Sequence, residues 1–336
     1  MKRATTPPAR RAVRSAVVPL ALAFDAALGE PPSWAHPVVW IGAATTALTR
    51  LAPAGATARL VYGGAITALT VGGAALAGAA VARLLDRLPA PLALLAEAWL
   101  LKTTLSVRAL LEAGARVERC LDDGDLDGAR NAVTALVSRD PADLDGVLLA
   151  SAAVESLAEN ASDSIVAPLV YHALGGLSAA LAYRAANTLD AMIGYRDEYE
   201  HLGKAAARLD DALNLLPARL TSGLLLAAGA LGGGDVATGL AVTRRDHGQT
   251  ASPNAGWPMA TMAGLLGTRL EKPGHYVLGA KLPPPDLPAI DHAAELVKTL
   301  TVLAVPVVFG VRWLVRGWER GHPGRFVRDS VPKAPR

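Results

Sequence analysis

Between Ser151 and Arg219 the chain sets polar groups into apolar surroundings, and their spacing suggests chemistry. Glu155, Glu159 and Asp163 fall at i, i+4 and i+8, so a helix would carry three carboxylates on one stripe, with Ser156 and Asn160 beside them. Like charges four residues apart repel, so the row calls for a compensating cation or for protonation. One or two of these carboxylates could hold Mg²⁺, water and phosphate oxygens completing its shell; the plainer alternative is a solvated helix face. Arg184, Asn187 and Asp190 follow an apolar half-helix. A guanidinium there can grip phosphate or carboxylate with two hydrogen bonds, or it can reach toward lipid headgroups. Arg208, Asp210, Asp211 and Asn214 come next. Arg208 and Asp211 could be a mere surface pair, but one acid of this helix could bind metal while another deprotonates an attacking amine.

Three further places carry candidates. His36 stands near Asp25, Glu30 and Trp34 and has either a catalytic or a structural role. Arg245, Asp246, Ser252, Asn254 and Trp257 lie in a polar stretch of the kind that orders on ligands, and the Trp257 indole could lie against a flat ring system. Several standard sites are missing. There is no G-x-x-x-x-G-K-[ST] loop, no G-x-S-x-G elbow and no H-E-x-x-H, so nucleotide binding must rest on scattered groups. The Asp-Asp-Gly-Asp run at 122–125 lacks the twelfth-position Glu of a calcium loop. Cys120 is the single cysteine, which excludes an internal disulfide and a cysteine-based zinc site.

The elements that must position these groups are helical and largely apolar. Of 336 residues 51% are hydrophobic and 19% charged, and the mean hydropathy is +0.30. The excess over a soluble composition points to an all-α polytopic membrane protein with about four to five membrane segments, some broken or re-entrant, plus amphipathic helices. Basic residues gather at both ends, as in flanks facing anionic lipid, whereas aromatics are only 4%, which argues against nucleic acid. Residues 1–14 and 321–336 read as basic disordered tails around a single domain, 15–320. Residues 17–28 read as an uncleaved first membrane segment and 60–82 as a full span. Residues 89–120 read as one long amphipathic helix, and Asp140 or Asp143 as the cap of the acidic helix. That helix should stop near Pro168, and Gly175-Gly176 should break the apolar run after it. An amphipathic helix over 204–216 should end at Pro217. Residues 238–288 read as loop-rich, and 299–315 as a last span kinked at Pro306. No strand is expected.

Several blocks together resemble one family. V-E-S-L-A-E-N-A-S-D-S-I-V-A-P-L, A-Y-R-A-A-N-T-L-D-A-M-I-G-Y-R and A-R-L-D-D-A-L-N-L-L-P-A-R-L-T are similar to the CobD/CbiB family of cobalamin biosynthesis, the adenosylcobinamide-phosphate synthases. F-D-A-A-L-G-E-P-P-S-W-A-H-P-V-V-W-I-G and H-G-Q-T-A-S-P-N-A-G-W-P-M-A-T-M-A-G-L-L-G-T-R-L extend the resemblance over roughly residues 20–315. Ala161, Ser164 and Ala191 depart from the family pattern, as does Ser138 before Arg139-Asp140, where a glycine is usual, but the charged positions stand. The resemblance implies an ATP-dependent, Mg²⁺-assisted amide ligase. It would join adenosylcobyric acid to (R)-1-amino-2-propanol or its O-phosphate. Glu155, Glu159 and Asp163 would then hold metal, and Arg184, Arg208 and Arg245 phosphates. Asn160, Asn187, Asp190, Asn214, Asn254 and Trp257 would contact substrate, Asp210 or Asp211 would be the base, and His36 a further catalytic group. The expected setting is the cytoplasmic membrane, with the site facing the cytoplasm. It leaves room for a homo-oligomer or a complex with other late cobalamin-pathway membrane enzymes. A corrinoid or anionic-solute transporter and a non-catalytic regulator of the same fold are the other readings.

Overall fold

The computed structural model describes residues 15–137, 140–195 and 199–321, with side chains to residue 314. The expected tails, 1–14 and 322–336, lie outside the described residues. The chain is helical almost throughout. In order come α1 (Val17–Leu28), a 3₁₀ turn (Ser33–Ala35), α2 (Pro37–Thr49), α3 (Ala56–Leu85), α4 (Ala90–Lys102), α5 (Val107–Asp122) and α6 (Leu126–Val133). Then follow α7 (Gly146–Ala161), a π-helical turn (Ser162–Val166), α8 (Ala167–Ile193), α9 (Lys204–Gly232), α10 (Val236–Asp246) and α11 (Gly256–Leu266). A short antiparallel hairpin, β1 (Leu270–Lys272) and β2 (Tyr276–Leu278), precedes α12 (Pro288–Gly321). Its presence corrects the expectation of no strand. Five helical segments are long and apolar enough to cross a membrane: Ala56–Leu85, Ala90–Asp122, Gly146–Ile193, Lys204–Gly232 and Pro288–Leu314. Among the described residues, α3 turns Leu60, Val61, Leu69, Leu76 and Leu84 outward, the surface a lipid-facing span requires.

Three boundaries differ from the sequence reading. α1 has 12 residues, about 18 Å at 1.5 Å per residue, and falls short of a ~30 Å hydrocarbon core, so it is no span by itself. Residues 90–122 are two helices, broken at Thr103–Ser106, and together they form a candidate span rather than a purely amphipathic rod. The cap of α7 is Asp145, whose Oδ1 accepts from the Leu148 N–H at 2.8 Å, not Asp140 or Asp143. Residues 238–288 also hold more structure than expected, with α10, α11 and the hairpin.

The two expected proline stops do not stop their helices. A proline inside a helix frees the carbonyl four residues earlier. For Pro168 that is the Ser164 carbonyl, and the Ser106 N–H donates to it at 3.2 Å from the elbow between α4 and α5. For Pro217 it is the Leu213 carbonyl, and the Tyr171 hydroxyl donates to it at 2.8 Å. Each freed acceptor is met by a neighbouring helix, so the path continues. The Gly175-Gly176 break is real: Gly176 has φ +67° and ψ −158°, inside what is otherwise one helix.

The α7–π–α8 path is the axis of the bundle. α3, α9 and α2 pack on α8, α12 packs on α7, α8 and α9, and α11 packs on α7 and α9. The main core follows this axis through Leu149, Val154, Leu157, Ile165, Leu169, Met259, Met262 and Val297. A smaller one joins α3 to the start of α9 through Ile66, Leu189, Ile193 and Leu202. α3 approaches α8 closely at Gly78, where an added Cβ would meet the Ser178 backbone, and Ser178 Oγ donates to the Ala75 carbonyl at 2.6 Å. Gly73, one turn earlier, has open space at that position. Gly78→Ala should therefore lower stability by about 1–3 kcal/mol, because backbone cannot yield as a side chain can. Gly73→Ala should be neutral or stabilising by up to ~1 kcal/mol through helix propensity. Thermal unfolding midpoints of the two variants in detergent check the opposite signs.

Candidate active site

A cavity of about 440 Å³ opens where α7, the π turn, α8, α9, the loop before α11 and the hairpin meet. Its acids come from four successive elements. Glu159 is on the last turn of α7, Asp163 on the π turn, Asp190 on the last turn of α8, and Asp210 and Asp211 are on α9. The π turn matters locally. An extra residue per turn widens the helix and re-aims its side chains, which here leaves Ser162 and Asp163 facing the cavity. Ser162 Oγ is buried and has no hydrogen-bond partner among the described residues.

Amides organise the acids. Asn187 Nδ2 lies 3.2 Å from Asp163 Oδ2 and 3.4 Å from Asp210 Oδ1. Asn214 Nδ2 donates to the second Asp210 oxygen at 2.9 Å, and Tyr183 donates its hydroxyl to Asn214 Oδ1 at 2.8 Å. Arg184 Nη1 donates to Asn187 Oδ1 at 3.3 Å and to Ser164 Oγ at 3.2 Å. Ser164, one of the positions that depart from the resembled family's pattern, is thus a partner of the arginine. Asp211 Oδ1 accepts from Ser252 Oγ at 3.1 Å.

The candidates read from the sequence separate into groups. Glu159, Asp163, Asp190, Asp210, Asp211, Asn214 and Asn254 line the cavity, and Asn187 and Arg184 stand directly behind it. Glu155 turns into an adjoining pocket of about 130 Å³, where Ser151 Oγ and Tyr276 OH donate to its two oxygens at 2.8 and 2.7 Å. Asn160 bonds back to Ser156 and is not in the lining. Arg208 is exposed and outside the lining. Trp257 has the Arg219 guanidinium 4.7 Å above its ring and His247 at 4.2 Å, so protein groups already engage it. Asn254 holds the same region by donating to the Asp211 carbonyl at 2.7 Å and accepting from Arg219.

Arg245 grips Asp246 with two hydrogen bonds of 2.7 Å. Asp246 in turn accepts the Gly279 N–H at 2.7 Å, tying the end of β2 to α10. Burial pushes the Asp246 carboxyl up, but Arg245, the Gly279 N–H and Gln249 hold it net below the usual carboxylate range. A carboxyl held low by folding stabilises above its unfolded value, and that contribution is lost as pH falls through the folded value. Acidification below about pH 4 should therefore loosen this anchor, with no change near neutrality. Amide exchange at Gly279, corrected for its intrinsic pH dependence, checks this, and Asp246→Asn should show the loosened state at pH 7.

His36 caps α2, its Nδ1 accepting from the Val38 N–H at 3.2 Å, and its Nε2 lies 3.0 Å from Glu30. Glu30 also accepts from Lys102 at 3.0 Å, and Lys102 is fully buried, 3.9 Å from Asp25. Burial pushes the Glu30 carboxyl up, yet His36 and Lys102 hold it net below the usual range. This cluster ties α1, the 3₁₀ segment and the α4–α5 elbow together, and His36 is not in the cavity lining.

Sequence reasoning did not single out Ser162, Lys272 or His275, all of which line the cavity. Nothing about one lysine and one histidine near a Pro-Gly turn distinguishes them until the hairpin places that turn over the acids.

The residues present fit a divalent cation brought in with phosphate. Among the described residues no three acids, histidines or cysteines converge to hold a metal ion unaided. Mg²⁺ seldom needs such a cage, because one or two carboxylates suffice when water and phosphate supply the rest.

Five helical segments long and apolar enough to cross a membrane, set around an acid-lined cavity, define the class: a multi-pass α-helical membrane protein with a polar site among its helices. A family profile described as CobD/Cbib protein matches residues 18–302, and the chain belongs to that family. It is 39% identical over 301 residues to "Cobalamin biosynthesis protein CobD" of Dehalococcoides mccartyi, covering 88% of this chain and 97% of that one. It is 42% identical over 295 residues to the protein of the same name in Rhizobium meliloti, covering 84% and 88%, and 37% identical over 308 residues to that of Klebsiella pneumoniae, covering 87% and 96%. No solved structure matches the chain.

Proposed function

We propose that this protein acts in cobalamin biosynthesis as an ATP-dependent amide synthase. It joins the propionate carboxylate of adenosylcobyric acid to (R)-1-amino-2-propanol or its O-phosphate. Family membership supports the pathway, and the observation that carries the chemistry is the convergence of Glu159, Asp163, Asp190, Asp210 and Asp211 on one cavity. A carboxylate is a poor acyl donor at neutral pH, and ATP with Mg²⁺ would supply its activation by giving it a leaving group.

The chain's own residues then have distinct tasks. Glu159 and Asp163 hold the metal ion. Asp210, fixed by Asn187 and Asn214, takes the proton of the attacking amine, which is a nucleophile only when unprotonated. Arg184 and Asn187 set the positions of the acids from behind. On this reading the protein sits in the cytoplasmic membrane with the cavity toward the cytoplasm, where ATP is present.

The test uses detergent-purified full-length protein with cobyric acid, aminopropanol or its phosphate, ATP and Mg²⁺. A corrinoid heavier by the amino alcohol less one water, formed only with ATP, is the expected result. Unchanged corrinoid with intact ATP would overturn the proposal, and uptake of corrinoid into liposomes without ATP cleavage would replace it with transport.

A further inference from the structure

The acids on the cavity floor would repel any anion that enters, so an anionic substrate needs a cation in the wall. The arginines expected for that task do not reach the lining: Arg208 is exposed, Arg245 is committed to Asp246, and Arg184 lies behind Asn187. Among the described lining residues the basic ones are Lys272 and His275, on either side of the hairpin turn. Lys272 is half-buried and lines both the main cavity and the adjoining pocket; its charge acts on Glu159, which lines the same two spaces, but it forms no contact ion pair among the described residues.

The hairpin that carries them is fixed at its base. The Glu271 N–H donates to Ser151 Oγ at 2.7 Å, Tyr276 OH to Glu155 at 2.7 Å, and the Gly279 N–H to Asp246 at 2.7 Å. The first two anchors are on α7 and the third on α10, so the turn is held over the floor rather than waving above it. Gly274, with φ +75°, makes the reversal between Lys272 and His275. Independently, the cavity contains an unsatisfied donor: the buried Ser162 hydroxyl, which has no partner among the described residues. A buried polar group of this kind is normally satisfied, and a ligand oxygen would satisfy it.

We propose that the turn of this hairpin is the anion-recognition element of the site, with Lys272 binding a phosphate group of a substrate and His275 and the Ser162 hydroxyl completing its contacts. This rests on the amide-synthase reading for the identity of the substrates. The shared chemistry is a phosphoryl dianion, carried either by the nucleotide or by a phosphorylated amino alcohol. An ammonium on a flexible stem suits a phosphate that must be bound and then released.

The experiment compares wild-type protein, Lys272→Gln and Lys272→Arg in steady-state amide synthesis. ATP, the amino alcohol phosphate and the free amino alcohol are varied in turn. Lys272→Gln should raise KM about ten-fold or more for one phosphorylated substrate with a smaller change in kcat, and Lys272→Arg should restore much of it. A rise for the amino alcohol phosphate but not for the free amino alcohol assigns the phosphate to the amine, and a rise confined to ATP assigns it to the nucleotide. Unchanged KM for both, or a fall in kcat alone, overturns the proposal. A second measurement is independent of turnover. Calorimetric binding of inorganic pyrophosphate to the detergent-purified chain should weaken about ten-fold in Lys272→Gln, at an unaltered thermal midpoint. If wild-type protein binds pyrophosphate through Lys272 yet makes no amide, the reaction assignment fails and the anion site stands. If it makes amide and Lys272→Gln matches wild type in both assays, the reverse holds.

Discussion

Asp210→Asn is expected to lower kcat for amide formation by about 10²–10⁴-fold, the usual contribution of a positioned base. Asp210 is nearly buried and receives an amide N–H on each oxygen, from Asn187 and Asn214. The carboxylate therefore has a fixed direction, as proton transfer requires. The substitution conserves volume but places a third amide between two amide donors, so some loss of stability should accompany the kinetic effect. Asp211→Asn is the internal control. Asp211 is more exposed and accepts from a serine hydroxyl, Ser252 Oγ at 3.1 Å, rather than from an amide on each oxygen as Asp210 does, so a smaller fall is expected. The measurement is kcat and KM for each variant under saturating ATP and Mg²⁺. If Asp210→Asn retained kcat within ten-fold while Asp211→Asn did not, the base would be Asp211.

Lys102→Met should have the largest effect on stability. The lysine is fully buried, 3.0 Å from Glu30 and 3.9 Å from Asp25, at the elbow between α4 and α5. Removing one member of a buried ion pair leaves an uncompensated charge and typically costs about 3–5 kcal/mol. Here two carboxylates lose their cation together, and Asp25 must still accept the Arg108 N–H at 2.8 Å. A markedly lower unfolding midpoint in detergent is the expected outcome. Adding Asp25→Asn to Lys102→Met should recover part of the loss, since neutralising the acid removes part of the imbalance. A single variant as stable as wild type would show that water or lipid headgroups reach Lys102 and that the cluster is not sealed.

The sequence reading reached the spans and the acids by one route, because a charge inside an apolar run is visible without coordinates. Asp163, Asp190 and Asp210 stood out in this way and share a cavity. It failed where the answer depends on a partner remote in the chain. Pro168 and Pro217 read as helix ends because nothing nearby marks Ser106 or Tyr171 as replacement donors. The stripe of Glu155, Glu159 and Asp163 assumed an unbroken helical period. Glu155 and Glu159 keep that period on α7, but Ser151 and Tyr276 hold Glu155 in a neighbouring pocket that Glu159 also lines, and the π turn begins only beyond Glu159. Arg208 and Arg245 have the charge that phosphate needs, but charge type says nothing of the direction in which a guanidinium points. His36 and Lys102 were both visible as polar residues, but only the fold joins them through Glu30.

The replacement donors for the two prolines share an ordering along the polypeptide. Ser106 precedes Ser164, and Tyr171 precedes Leu213. A chain threaded into the bilayer from its amino end would thus have each N–H or O–H already inserted when the orphaned carbonyl emerges. Neither helix need ever wait, bent and unsatisfied in hydrocarbon, for a later portion of the polypeptide to be synthesised.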